Sequence, residues 1–308
     1  MSLRSLWDVP APAKLNLFLH VVGRRSDGYH LLQSVFVLID WADTLHLELR
    51  DDGKLARHDL GAALPDDDLC LRAARLLQSE SGVSLGADIS IDKQVPWGAG
   101  MGGGSSDAAS TLLALNRLWK LDWPLSRLLP LGLKLGADVP FFLGGRNAWV
   151  EGIGERLTPV ELPPQWLAVV KPAASIATQA IFTNPLLVRD TNAAILAGFP
   201  ADETKLETLV GSERVTLKEI TQGFGRNDLQ PPAEAHSEEV AQAARLLERR
   251  FGNSRMTGSG SAVFARAGRI EGAESLPTAT LPTDLPAGWA GRMCRSLELH
   301  PLAGWASS

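Results

Sequence analysis

The 308-residue chain has two cysteines, one tyrosine and no excess of basic residues, and each shortage closes off a class of function. Cys70 and Cys294 lie too far apart for a CxxC metal or redox motif. They read as small core residues of a reduced, cytoplasmic protein. Lys and Arg number 30 against 35 Asp and Glu, a formal net charge of −5. A nucleic-acid backbone calls for a basic surface, so nucleic acid is not expected as a partner. A small phosphorylated ligand stays open, because backbone dipoles can hold one locally. No uncharged apolar stretch reaches membrane-spanning length; residues 128–145 come closest, and Lys134 and Asp138 interrupt them. Residues 1–7 hold no apolar run long enough for a signal peptide. No membrane partner is therefore expected.

What the chain does have is glycine in one place. Five of the seven residues from Gly98 to Gly104 are glycine, within Pro96-Trp-Gly-Ala-Gly-Met-Gly-Gly-Gly-Ser-Ser106. Glycine permits positive φ and close approach of a ligand to the backbone. Residues 105–119 follow as a predicted helix, with Ala108, Leu112, Leu115 and Trp119 at helical spacing. A helix start offers free N–H groups and partial positive charge, which suits an anion. The plainer alternatives are a flexible linker, or a helix start capped by Ser105 or Ser106.

Three kinds of phosphate loop compete. A GxxxxGK[ST] loop fails, because no lysine lies within 98–107. A dinucleotide fingerprint matches formally at Gly98-Ala-Gly100-Met-Gly-Gly103, with Asp122 as the downstream acid. However, Asp122 follows the helix with no strand between. The third kind is the glycine loop of a kinase outside the P-loop class, wrapped around a nucleoside triphosphate.

Hydrophobic residues make up 45% of the chain, enough for a packed core. Residues 13–22 alternate as a strand with one strongly apolar face (Leu15, Leu17, Leu19, Val21). Strands are predicted at 35–39, 44–50 and 87–92, and helices at 69–81 and 124–135. Pro163-Pro164 marks a seam between two domains, 1–162 and 163–308. Beyond it come a strand at 166–170, little signal over 190–211, a helix at 237–250, and a glycine turn Thr257-Gly-Ser-Gly260 before a strand at 262–265. Residues 268–288 read as loop, 293–299 as a last strand, and 304–308 as a frayed tail. Several strands precede the first helix, which favours a mixed α+β architecture over a doubly wound sheet.

Pro12-Ala-Lys-Leu-Asn-Leu-Phe-Leu19, the glycine loop, and Met256-Thr-Gly-Ser-Gly-Ser-Ala-Val-Phe264 together resemble the three motifs of the GHMP kinases. Arg25-Ser-Asp-Gly-Tyr-His30 and Leu135-Gly-Ala-Asp-Val-Pro-Phe141 look like the branch that phosphorylates a cytidine-diphosphate-linked methylerythritol. The resemblance runs from about Pro12 to Phe264. It implies a two-domain fold, an N-terminal domain like ribosomal protein S5 and a C-terminal ferredoxin-like α/β sandwich. It implies transfer of the γ-phosphoryl of ATP, with Mg²⁺, to the 2-hydroxyl of that substrate on the non-mevalonate route to isoprenoid precursors. Positioning and charge stabilisation are the main needs of such a transfer.

The same resemblance assigns roles. Asp138 matches the catalytic aspartate; without it, Asp138 reads equally as a loop or helix-cap residue. Lys14 matches the lysine of the first motif, which steadies the charge of Asp138 and of the moving phosphoryl group. Asn16, on the same strand face, is expected to orient substrate or Lys14. Tyr29 stacks on the cytosine ring, His30 contacts the base edge, and Phe182 covers the far side of the ring. Pro96, Trp97, Gly98, Ala99, Gly100, Met101, Gly102, Gly103, Gly104, Ser105 and Ser106 wrap the triphosphate. Mg²⁺, Lys14 and Lys93 supply the positive charge, and Ser105 or Ser106 reaches the metal directly or through water. Gly258 and Gly260 allow close backbone approach beside the site. The chain departs from the family at Met101, where leucine is usual, and at Asp68, where asparagine is. It also extends beyond the family's usual end.

Overall fold

The computed structural model describes residues 3–198, 212–272 and 274–307. In chain order it begins with strands β1 (Ser5–Arg24), β2 (His30–Arg50) and β3 (Leu55–Asp59), helix α1 (Leu69–Ser81), strand β4 (Gly86–Asp92) and helices α2 (Gly103–Leu118), α3 (Leu125–Leu135) and α4 (Val139–Gly144). It continues with β5 (Ala148–Gly152), β6 (Arg156–Pro159), β7 (Gln165–Lys171), α5 (Thr178–Thr183), β8 (Ala194–Leu196) and β9 (Glu213–Val215). Last come α6 (Leu217–Gln222), α7 (Gln230–His236), α8 (Glu238–Phe251), β10 (Arg255–Met256), β11 (Val263–Arg269) and β12 (Ala290–Leu297). The mixture is α+β, with three strands, two of them long, before the first helix, as the sequence pattern implies. Part of the weakly patterned stretch 190–211, namely 199–211, lies outside the described residues.

The main sheet runs β10-β11-β7-β12-β2-β4-β3, with β1 and β5 also on β2 and β6 on β5. The two strands predicted within 35–50 are one continuous strand. No glycine or proline interrupts that stretch, and β2 changes partner along its length. It pairs with β5 at Leu32–Phe36, with β12 at Leu38 and Ile39, and with β4 at Thr44–Arg50. The expected single apolar face of β1 is also too simple: Leu15, Leu17 and Phe18 are all fully buried. Helix α2 packs against β1, and Phe18 meets Trp149 and Phe224 from other parts of the fold. A strand covered on both sides loses its polar/apolar alternation.

Local chemistry explains the helix ends. Asp68 caps α1 by accepting the Leu71 N–H at 3.1 Å, and Gly82 ends the helix in the left-handed conformation. Apolar residues of α1, α2, α3 and α4 form one core with β2 and β4. The carboxyl-terminal stretch closes the structure. β12 pairs with β7 over residues 290–295 and with β2 at Ser296 and Leu297, so strands from both sides of Pro163-Pro164 share one sheet. The tail is not frayed as far as residue 307. His300 N–H donates to the Gly145 carbonyl at 2.9 Å, Leu302 is buried, and the Ser307 carbonyl accepts the Leu125 N–H at 2.7 Å.

Candidate active site

A cleft of about 1110 Å³ opens where β1, β2, the glycine loop, α4 and α5 converge. Lys14, Asn16, Gly100, Gly102, Asp138 and Gly258 line one end; Tyr29, His30 and Phe182 line the other. Residues scattered over most of the chain are thereby brought together.

Lys14 is 3% exposed, and three partners fix its ammonium. Nζ donates to Asn16 Oδ1 at 2.6 Å, lies 3.7 Å from a carboxylate oxygen of Asp138, and sits 4.2 Å from the centre of the Phe36 ring. Burial pushes its pKa below the ordinary lysine value, and Asp138 opposes that shift. Asp138 occupies the N-cap position of α4 but makes no side-chain cap bond. Its carboxylate is turned to Lys14 instead, and its side chain is 32% exposed. A capping aspartate would face the helix N–H groups, so the plainer helix-cap reading does not describe this residue.

Asn16 is a junction. Besides Lys14, its Oδ1 accepts from the Gly258 N–H at 3.0 Å and from Thr257 Oγ1 at 3.2 Å. Its Nδ2 donates to Ser34 Oγ at 3.0 Å, and its backbone N–H to Thr257 Oγ1 at 2.9 Å. The first motif is thus tied to the third through one amide side chain. Ser34 has no part in the sequence reading, and Thr257 enters it as the first residue of the glycine turn, with no role of its own.

The glycine loop meets the third motif back to back. A Cβ at Gly100 (φ 72°) would come within 2.4 Å of the Thr257 carbonyl, and one at Gly258 (φ 54°) within 2.6 Å of the Gly100 carbonyl. The N–H groups of Ser261 and Ala262 donate to the carbonyls of Gly98 and Ala99 at 3.2 and 3.1 Å. Much of the glycine signal therefore reflects two loops packed against each other.

The remaining loop residues take different positions. Ala99 and Met101 are buried under the loop, and the Met101 carbonyl accepts the Lys14 N–H at 2.9 Å. Trp97 is exposed, and of the loop residues 96–106 Gly100 and Gly102 alone line the cleft described above. Gly102 is the N-cap of α2 and has no side chain to cap it, which leaves the first-turn N–H groups of Gly103, Gly104 and Ser105 without intrahelical acceptors. Ser106 is fully buried and donates its hydroxyl to the Pro12 carbonyl at 2.7 Å; Ser105 is only partly buried. Lys93 is engaged elsewhere. Its ammonium lies between Asp43 and Asp107, 2.5 Å from the latter, so two carboxylates already balance its charge. Burial opposes that charge, but the two carboxylates prevail and hold the Lys93 pKa above the ordinary lysine value. Among the described residues, no three His, Cys, Asp or Glu side chains gather as a metal site.

At the other end of the cleft Tyr29 is 60% exposed, on a turn that Gly28 makes at φ 93°. The Phe182 ring stacks on His30, centroids 4.9 Å apart and planes 26° from parallel. Arg189 lines this end as well and donates from Nε to His30 Nε2 at 3.3 Å. The sequence gives no sign of it, because it lies at the edge of a stretch without periodicity.

Two families match parts of the chain: GHMP kinases N terminal domain over residues 68–146, and GHMP kinases C terminal over residues 208–275. The chain is 66% identical to a 4-diphosphocytidyl-2-C-methyl-D-erythritol kinase of Methylibium petroleiphilum, over 99% of this chain and all of that protein. It is 55% identical to the protein of that name from Variovorax paradoxus, again over 99% of this chain and all of the other. Among solved structures it resembles a 4-(cytidine 5'-diphospho)-2C-methyl-D-erythritol kinase with TM-score 0.66 and 34% identity, covering 93% of this chain and 98% of the other.

Proposed function

The chain belongs to the 4-diphosphocytidyl-2-C-methyl-D-erythritol kinase family of the GHMP kinases, and from that membership we propose how its residues carry out the reaction. It is an ATP-dependent phosphotransferase that acts on an alcohol. The acceptor is the 2-hydroxyl of 4-diphosphocytidyl-2-C-methyl-D-erythritol. The bond between the γ-phosphorus and its bridging oxygen breaks, a bond from phosphorus to the 2-oxygen forms, and ADP leaves.

Asp138 accepts the proton of the attacking hydroxyl. The Lys14 ammonium, fixed by Asn16 and paired with Asp138, orients that carboxylate and balances charge on the transferred group. The glycine loop around Gly100 and Gly102 and the uncapped start of α2 hold the phosphates through backbone N–H groups. Of the two loop serines, Ser105, whose neighbour Ser106 is committed to the Pro12 carbonyl, is the one that would reach a Mg²⁺ ion, which would supply neutralisation of phosphate charge. Tyr29, His30 and Phe182 bind the cytosine ring by stacking and by a hydrogen bond to its edge. Residues 1–162 carry the loop and both catalytic groups, and 163–308 complete the site with Phe182 and the Thr257–Gly260 turn. The enzyme works in the cytoplasm, where ATP and charged phosphate esters are available and its two buried thiols stay reduced.

The observation that carries this reading is the Lys14–Asp138 pair in one cleft with Tyr29, His30 and Phe182. A pure nucleotide binder has no need of a carboxylate poised against a buried ammonium. The test is ADP release with the cytidine-linked substrate, measured beside mevalonate, homoserine and galactose. ADP formed in step with the cytidine substrate alone supports the reading; comparable release with another alcohol overturns it.

A further inference from the structure

Arg189 belongs to none of the motifs above, yet its guanidinium organises the pyrimidine end of the cleft. Nη1 donates to the Leu187 carbonyl at 3.0 Å, and Nη2 to the carbonyls of Phe182 and Asn184 at 2.9 and 3.0 Å. Nε donates to His30 Nε2 at 3.3 Å. Phe182 in turn stacks on the His30 ring. One side chain therefore fastens the segment after α5 to the first residue of β2.

The direction of the bond to His30 has a chemical consequence. A guanidinium has N–H donors and no acceptor, so Nε2 of His30 must offer its lone pair. The proton of the neutral ring then resides on Nδ1. Among the described residues nothing hydrogen-bonds to that atom, and His30 lines the cleft. We propose that Arg189 is a positioning residue that fixes His30 as the neutral Nδ1–H tautomer, so that the cleft presents one N–H donor to the acceptor edge of a pyrimidine base. This rests on the reading that the cytidine end of the substrate lies beside His30. The opposite tautomer would set a lone pair against the acceptors of that edge.

The charged groups that act on His30 support a neutral ring. Burial, then Arg189, then Arg24 on the paired strand β1, all push its pKa below the ordinary histidine value. Asp27, in the turn between, is engaged by Arg25 at 2.6 Å.

The test has two arms. Nitrogen-15 NMR of the free protein at pH 7.5, with the signal assigned through His30→Gln, should show His30 as the Nδ1–H tautomer. In Arg189→Met the Nε2–H form should appear. In steady-state kinetics at pH 7.5, Arg189→Met should raise KM for the cytidine substrate about tenfold, the loss of one hydrogen bond to a reading group. KM for ATP should stay within about twofold of the wild type. The ratio of variant to wild-type KM for the cytidine substrate should shrink as pH falls through the ordinary histidine range, because an imidazolium again carries a proton on Nδ1. An Nε2–H tautomer in the wild type overturns the proposal. So does a KM ratio that is the same at every pH, since it would mean that Arg189 only braces the loop. The NMR arm needs no substrate, so it decides the tautomer separately from the ADP-release assay, which decides the substrate.

Discussion

The two ends of the cleft are built differently. At the phosphate end, Lys14 and Asn16 are almost fully buried, and three sequence-distant segments interlock through Asn16, Thr257, Gly258 and the Met101 carbonyl. At the pyrimidine end, Tyr29 stands 60% exposed on a glycine turn, and His30 depends on Phe182 and Arg189 from a segment with little regular structure. Buried, fully bonded groups hold a reactive geometry that tolerates little displacement. Exposed aromatic groups on turns can read a base without being part of the core. On the proposed assignment, the chemistry is built into the sheet and the choice of substrate is mounted on its rim.

That contrast predicts different kinetic signatures. Lys14→Met should lower kcat by about 10³, the scale of losing one preorganised charge at a developing oxyanion. KM for the cytidine substrate should change little, and thermal unfolding should shift only modestly, because the relieved burial of the ammonium offsets the lost bonds to Asn16 and Asp138. A large rise in that KM with kcat intact would erase the distinction between the two ends. Gly100→Ala should destabilise the fold by roughly 3 kcal/mol, from left-handed backbone strain and a Cβ pressed on the Thr257 carbonyl. Denaturant unfolding measures this, and Gly28→Ala, whose Cβ would meet nothing closer than 3.6 Å, should cost less. Tyr29→Ala should raise KM for the cytidine substrate about tenfold, in line with the loss of one stacked aromatic, and leave KM for ATP nearly unchanged; equal effects on both would break the assignment.

The smallest effect concerns pH. Burial favours the neutral form of Lys14, so its folded pKa lies below the ordinary lysine value despite the help of Asp138. On the proposed mechanism the ammonium is needed for transfer, so kcat should fall as pH rises through that lowered value, before an exposed lysine would lose its proton. A kcat flat up to the ordinary lysine range would place Lys14 outside the reacting groups.

The same division governs how much the sequence alone conveys. The α1 helix at Leu69–Ser81 is legible to the residue, because its cap, its apolar spacing and its terminal glycine agree. The phosphate end is legible because its residues lie in short motifs whose composition serves backbone geometry. What those motifs hide is purpose: the positive φ at Gly100 and Gly258 serves loop-to-loop contact, and Lys93 serves a buried charge cluster. β2 reads as two strands because its pattern shifts where its partner changes from β12 to β4. Arg189 is invisible because nothing periodic surrounds it. The strand β12 is legible at 293–299 and lies at Ala290–Leu297, but its pairing with β7 and β2 is not, because pairing across so much of the chain leaves no local signature.

The most direct test of this division is Asp138→Asn, measured for kcat with the cytidine substrate and for equilibrium ATP binding. A fall in kcat of about 10³ or more, with ATP affinity within about twofold of the wild type, is the predicted result. Near-normal kcat, or loss of ATP binding in step with activity, would contradict the assignment of proton transfer to this carboxylate.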